Sequence, residues 1–207
     1  MSSDDTPQIY LITPSEIELS RFPDQLARCL DTLPVACLRL SMASQDEDHI
    51  ARAADAVRDI AHARDVALVI DSHVLLVERL GLDGVHLTDG ARSVRKTRKD
   101  LGADAIIGSF CNASRHDGMS AGEAGADYVA FGPVGTTPLG DGTVAELDLF
   151  QWWSEMIEVP VVAEGALSDA LIRKVAPFAD FVGLGDEVWR SDDPAAALKS
   201  FAAELAQ

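Results

Sequence analysis

The sequence predicts an α/β fold, a single (β/α)8 TIM barrel spanning residues 1–207. Three observations carry that expectation. Eight short apolar runs recur along the chain, and helix-like stretches alternate with them. Several runs also end in a glycine-rich turn, as when a buried parallel strand hands the chain to a loop at a barrel mouth.

In order, the apolar runs are Ile9–Ile12, Val35–Leu40, Val66–Ile70, Gly84–Leu87, Ala105–Ser109, Tyr128–Phe131, Val159–Ala163 and Phe181–Leu184. Between them, Gln25–Leu33, Asp46–Ala63, Val74–Leu80 and Ala195–Leu205 place apolar residues at helical spacing. Ser168 suits a helix N-cap and Pro194 suits a first helical turn. Eight strand–helix units favour a closed barrel over an open doubly wound sheet, the alternative, which usually needs fewer strands. The longest stretch without periodicity is Gly132–Glu146, which carries Gly135, Gly140, Gly142, Pro133 and Pro138. In a barrel it follows the sixth strand and projects over the carboxyl-end face.

A chain of 207 residues, 47% hydrophobic and 25% charged, can build one sizeable core. No apolar run approaches the roughly 20 residues that cross a bilayer. The first five residues, Met1-Ser2-Ser3-Asp4-Asp5, are polar and acidic, unlike a signal peptide. Cys29, Cys37 and Cys111 lack metal-type spacing and read as reduced thiols, which points to the cytoplasm. The net charge of −17 repels nucleic acid and anionic membranes, so neither is expected as a partner. Trp152 and Trp153 fit an outer shell or the contact of a homodimer.

Four segments point further: LDGVHL at 82–87, IIGS at 106–109, GADYVAFGPV at 125–134 and VPVVAEG at 159–165. Their order and wording resemble the thiamine-phosphate synthase and thiazole tautomerase family, from Gln8 to Pro194. The resemblance implies a barrel with a phosphate-binding mouth. The family's synthase joins a pyrimidine pyrophosphate to a thiazole phosphate with magnesium.

The positions that carry this chemistry in the family often differ here, which marks a diverged member. The family's Gln-x-Arg-x-Lys reads Cys37-Leu38-Arg39-Leu40-Ser41, keeping only the arginine. Its Asn-Asp reads Asp71-Ser72, and its second magnesium aspartate falls on Ala91, with Asp89 two residues earlier. Magnesium therefore enters only if Asp71 and Asp89 rebuild the site. Thr137 matches a family threonine, but Leu139 and Gly140 stand where a second threonine and a lysine are expected. Phe110 replaces a serine beside Ser109, and Pro133 replaces the tautomerase histidine. After the seventh strand Gly-Gly becomes Gly165-Ala166, preceded by Glu164, and the eighth leads into Gly185-Asp186-Glu187.

Ten residues are thus candidates for holding a small molecule: Arg39, Asp71, Ser72, His86, Asp89, Ser109, Thr137, Glu164, Gly165 and Gly185. His86 is either an acid or base at a strand end or a buried mouth histidine. Glu164, Asp186 and Glu187 are expected at the mouth, where three carboxylates would repel a phosphate. No residue is assigned as catalytic. The expected function is small-molecule binding at the carboxyl-end mouth in the thiamine biosynthesis branch, with little or no standard synthase reaction. An active synthase with altered ligands and a non-catalytic oligomer partner are the alternatives.

Overall fold

The computed structural model describes residues 6–205, so the acidic run at 1–5 lies outside the described residues. Eight parallel strands close into a barrel: β1 (Gln8–Ile12), β2 (Cys37–Leu40), β3 (Ala67–Asp71), β4 (Gly84–Leu87), β5 (Ile106–Phe110), β6 (Tyr128–Phe131), β7 (Val161–Glu164) and β8 (Phe181–Leu184). β8 returns to β1 with Ile9 beside Val182 and Tyr10 beside Gly183. That closure excludes the open sheet.

The strands alternate with α1 (Phe22–Thr32), α2 (Glu47–His62), α3 (Val74–Arg79), α4 (Val94–Leu101), α5 (Arg115–Ala124), α6 (Leu147–Met156) and α7 (Asp169–Val175). A short α8 (Asp186–Trp189) and α9 (Pro194–Glu204) follow β8. The Ser168 hydroxyl accepts from Leu171 N at 3.4 Å, and Pro194 opens α9 behind an Asp193 cap. Both follow from helix-start chemistry, since a first turn leaves N–H groups that need acceptors. β7 starts two residues later than the apolar run because Pro160, just before it, has no N–H for a ladder.

Strand side chains alternate between two apolar layers. Leu11, Leu38, Leu68, Val85, Ile107, Val129, Val161 and Val182 belong to the large cluster that packs with the helices. Tyr10, Cys37, Val69, Phe110, Tyr128, Ala130 and Val162 form a second cluster, which fills the barrel interior. Trp153 belongs to the outer layer: its indole N–H donates to Val159 O at 2.8 Å and its ring meets Phe131 edge-on. Trp152 lies under the Arg115 guanidinium. No helix among the described residues is long and apolar enough to cross a membrane.

Candidate functional site at the carboxyl-end mouth

Above the apolar interior layer sits a polar one, contributed by four strands. Arg39 on β2 is only 5% exposed. Its Nη2 donates to Glu164 Oε2 on β7 at 2.6 Å, and its Nη1 donates to Glu164 Oε1 at 3.2 Å. Nη1 also donates to His86 Nε2 on β4 at 2.8 Å. Its Nε lies 3.3 Å from Asp71 Oδ1 on β3. That last contact is an ion pair without hydrogen-bond geometry, and neither atom has another hydrogen-bond partner. Period-two alternation explains the convergence: Cys37, Arg39, Val69, Asp71, His86 and Glu164 all occupy inward positions. Gly183 makes room for Glu164, since a Cβ there would lie 2.9 Å from the Glu164 Cβ.

An arginine cannot accept a hydrogen bond, so His86 Nε2 must be the acceptor and Nδ1 must carry the proton. Nδ1 donates to the Tyr128 hydroxyl at 2.9 Å, and that hydroxyl meets the Tyr10 hydroxyl at 2.6 Å. Burial, reinforced by the Arg39 charge, holds the His86 pKa well below the usual histidine value. The Arg39 contact and burial both favour the neutral ring, and His86 is 1% exposed at the base of the mouth. Burial also raises the Asp71 carboxyl above its ordinary value, with Arg39 partly offsetting it. For Arg39, burial pulls downward, but Glu164 and Asp71 outweigh it and keep the guanidinium charged.

Two cavities open over this layer and share Arg39, Ser41, Leu139 and Glu164 in their walls. One, of about 340 Å3, lies between the β1, β7 and β8 loops and includes Thr137, Gly165, Gly185 and Glu187. The other, of about 490 Å3, lies over Asp71, His86, Phe110 and Asn112. Leu139 comes from the Gly132–Glu146 stretch, which does arch over the mouth. Its start is fixed to the β7 loop: Val134 N donates to Glu164 O at 3.0 Å and Gly135 N to Gly165 O at 2.8 Å.

The structure gathers Arg39, Asp71, His86, Thr137, Glu164, Gly165 and Gly185 at the mouth and leaves three candidates outside the cavity walls. Ser109 faces outward because its neighbours Gly108 and Phe110 face inward; it is fully buried and donates to Gly90 O at 2.8 Å. Ser72 is exposed beyond the end of β3, with its hydroxyl on Thr88. Asp89 accepts from the Ser93 hydroxyl at 2.6 Å as a local turn contact. The structure gives Asp71 and Asp89 separate partners, one facing Arg39 in the cavity wall and the other Ser93 outside it. Among the described residues no cluster of three His, Cys, Asp or Glu side chains could hold a metal.

The three mouth carboxylates are not equivalent either. Glu164 is buried and neutralised by Arg39, whereas Asp186 is exposed and pairs with Arg190 at 2.7 Å. Glu187 turns inward onto backbone N–H groups. Gly140, where the family has lysine, adopts φ +62, and an added Cβ would lie 2.1 Å from Asn112 Oδ1. A lysine would not fit this backbone without a shift. Sequence reasoning missed Tyr10 and Tyr128 as polar partners; their inward register with His86 was the available signal.

Fold and site together define a (β/α)8 barrel with polar-walled cavities at its carboxyl-end mouth. The chain matches the family described as thiamine monophosphate synthase over residues 9–183 and belongs to it. A thiamine-phosphate synthase from Rhodospirillum centenum is 40% identical over 199 residues, covering 94% of this chain and 95% of that one. Another from Erythrobacter litoralis is 39% identical over 205 residues, covering 96% and 95%. A thiamine phosphate pyrophosphorylase from Pyrococcus furiosus superposes with TM-score 0.83 over 100% of both chains at 19% identity, a likeness of fold.

Proposed function

We propose that this chain binds a small molecule of thiamine biosynthesis at its carboxyl-end mouth and does not carry out the family's ordinary condensation. One observation supports this above the others: the sole retained cation of the Gln-x-Arg-x-Lys pattern, Arg39, is turned into the barrel. Three of its five N–H donors go to Glu164 and His86, and Nε faces Asp71. Releasing it to a pyrophosphate would leave the buried Glu164 carboxylate uncompensated and take the counter-ion from the part-buried Asp71. Ser41, Ser72, Ala91 and Gly140 add no charge where the family supplies cations or metal ligands. Each missing group can remove several kcal/mol of transition-state stabilisation, and about 1.4 kcal/mol is tenfold in rate.

The test is incubation with pyrimidine pyrophosphate, thiazole phosphate and magnesium, followed by detection of thiamine phosphate. Little or no product is expected, and turnover of about 1 per second, an ordinary enzyme rate, overturns the proposal. Binding itself is read by thermal shift with each thiamine-pathway intermediate. A second reading, an active synthase with altered ligands, is favoured by the 40% identity to the Rhodospirillum centenum protein across nearly the whole chain. The same assay separates the two.

A further inference from the structure

Glu187 occupies an unusual position for a mouth carboxylate. Its Oε1 accepts from the backbone N–H of Leu167, after β7, at 3.0 Å. Its Oε2 accepts from the backbone N–H of Gly185, after β8, at 2.9 Å. Both loops are thus bridged by one side chain through both of its oxygens. In parallel barrels the loops after the seventh and eighth strands commonly hold a phosphate on main-chain N–H groups. Here an anion built into the chain already accepts from them.

The charge of the surrounding wall points the same way. The two mouth cavities are lined by five carboxylates, Asp71, Asp141, Glu164, Asp186 and Glu187, against two cations, Arg39 and Arg190. Both cations are paired, Arg39 with Glu164 and Asp71, Arg190 with Asp186. An incoming dianion would meet repulsion with no unpaired arginine in the wall to offset it. The remaining polar lining beside Glu187 is neutral: Thr13, Ser15, Ser41 and Thr137. Such hydroxyls exchange hydrogen bonds with an uncharged alcohol in either direction.

We propose that Glu187 is a specificity-determining residue: its carboxylate takes the anion position between the β7 and β8 loops, so the ligand end beside those loops is a hydroxyl rather than a phosphate ester. This rests on the reading of the mouth as a small-molecule site and names the class of molecule it accepts. It reverses the preference expected of a barrel whose phosphate loops are vacant.

Calorimetric titration at low salt tests it. Wild type is titrated with a thiazole alcohol and with its phosphate ester; inorganic phosphate is titrated into wild type, Glu187→Gln and Glu187→Ala. The alcohol is expected to bind wild type more tightly than the ester. Glu187→Ala is expected to bind inorganic phosphate at least about tenfold more tightly than wild type, because one nearby like charge is removed. If that variant does not fold, Glu187→Gln, which keeps the length and one acceptor oxygen, serves the same comparison. Wild type that prefers the ester overturns the proposal, as does a folded variant with no gain for phosphate. Turnover of the ester in the condensation assay, with the alcohol still bound more tightly, would overturn the proposed loss of activity while leaving the role of Glu187 intact. Preference for the ester without turnover does the reverse, and binding of neither molecule overturns both.

Discussion

Arg39 on β2 reaches across the barrel to Glu164 on β7, joining the two side chains through paired N–H···O contacts of 2.6 and 3.2 Å. The pair spans 125 residues of sequence and forms part of the wall of both mouth cavities. The arginine that the family resemblance marks for phosphate is thus the counter-ion of the buried Glu164 and of Asp71. Removing one member of a buried, hydrogen-bonded pair exposes the other's uncompensated charge.

Arg39→Met is therefore expected to destabilise the fold by about 3–5 kcal/mol, measured as a fall in the urea midpoint at unchanged slope. Glu164→Gln should cost less, since the amide oxygen can still accept and Asp71 remains as counter-ion. A loss below about 1 kcal/mol for Arg39→Met would show that the pair is screened as on a surface.

Gly108→Ala should destabilise through overpacking. The new Cβ would lie 2.0 Å from Tyr128 Cζ and 2.3 Å from its hydroxyl oxygen, in a closed interior with no path of retreat. A cost of about 1–3 kcal/mol is the usual range for added volume in a packed core, and this contact belongs at its upper end. In a double-mutant cycle, Tyr128→Ala should absorb most of that cost. Strict additivity of the two substitutions would contradict the contact.

Cysteine labelling offers a test of burial. Burial pushes the Cys37 and Cys111 thiols up to about 12 and Cys29 up to about 11. The thiolate is the reacting form, so a disulfide reagent at pH 8 should label the native chain slowly and all three thiols quickly in urea. Fast native labelling of any one would mean that its segment opens readily.

The barrel was legible in sequence because its strands are continuous apolar runs, and apolar runs that alternate with helices have few other folds to enter. α4 was not legible: Val94–Leu101 buries only Val94 and Thr97, and its remaining residues are polar, charged or half-buried. The site was legible in part. Arg39, Asp71, His86 and Glu164 stand at strand ends and share inward register, so they converge. Ser109 misled because motif position placed it in the site while strand alternation turned it outward. Glu187 was placed at the mouth correctly, but its seat on two N–H groups depends on loop geometry that no spacing encodes.

The neutral state of His86 makes a prediction about acid. In the unfolded chain the imidazole titrates near 6.5, whereas in the barrel burial and Arg39 hold its pKa well below that value. Between the two values the unfolded state binds more protons, so stability is full above about pH 6.5 and falls as the pH drops through the window. The slope approaches about 1.4 kcal/mol per pH unit for one proton. Asp71 acts in the opposite sense: its folded carboxyl holds a proton more tightly than the unfolded 3.8, so it adds stability as pH falls and cannot cause the loss. Thermal unfolding between pH 7.5 and 5 should show a declining Tm in wild type and a flatter profile in His86→Gln. Equal slopes in the two proteins would mean that another group supplies the acid sensitivity and that His86 can take up its proton in place.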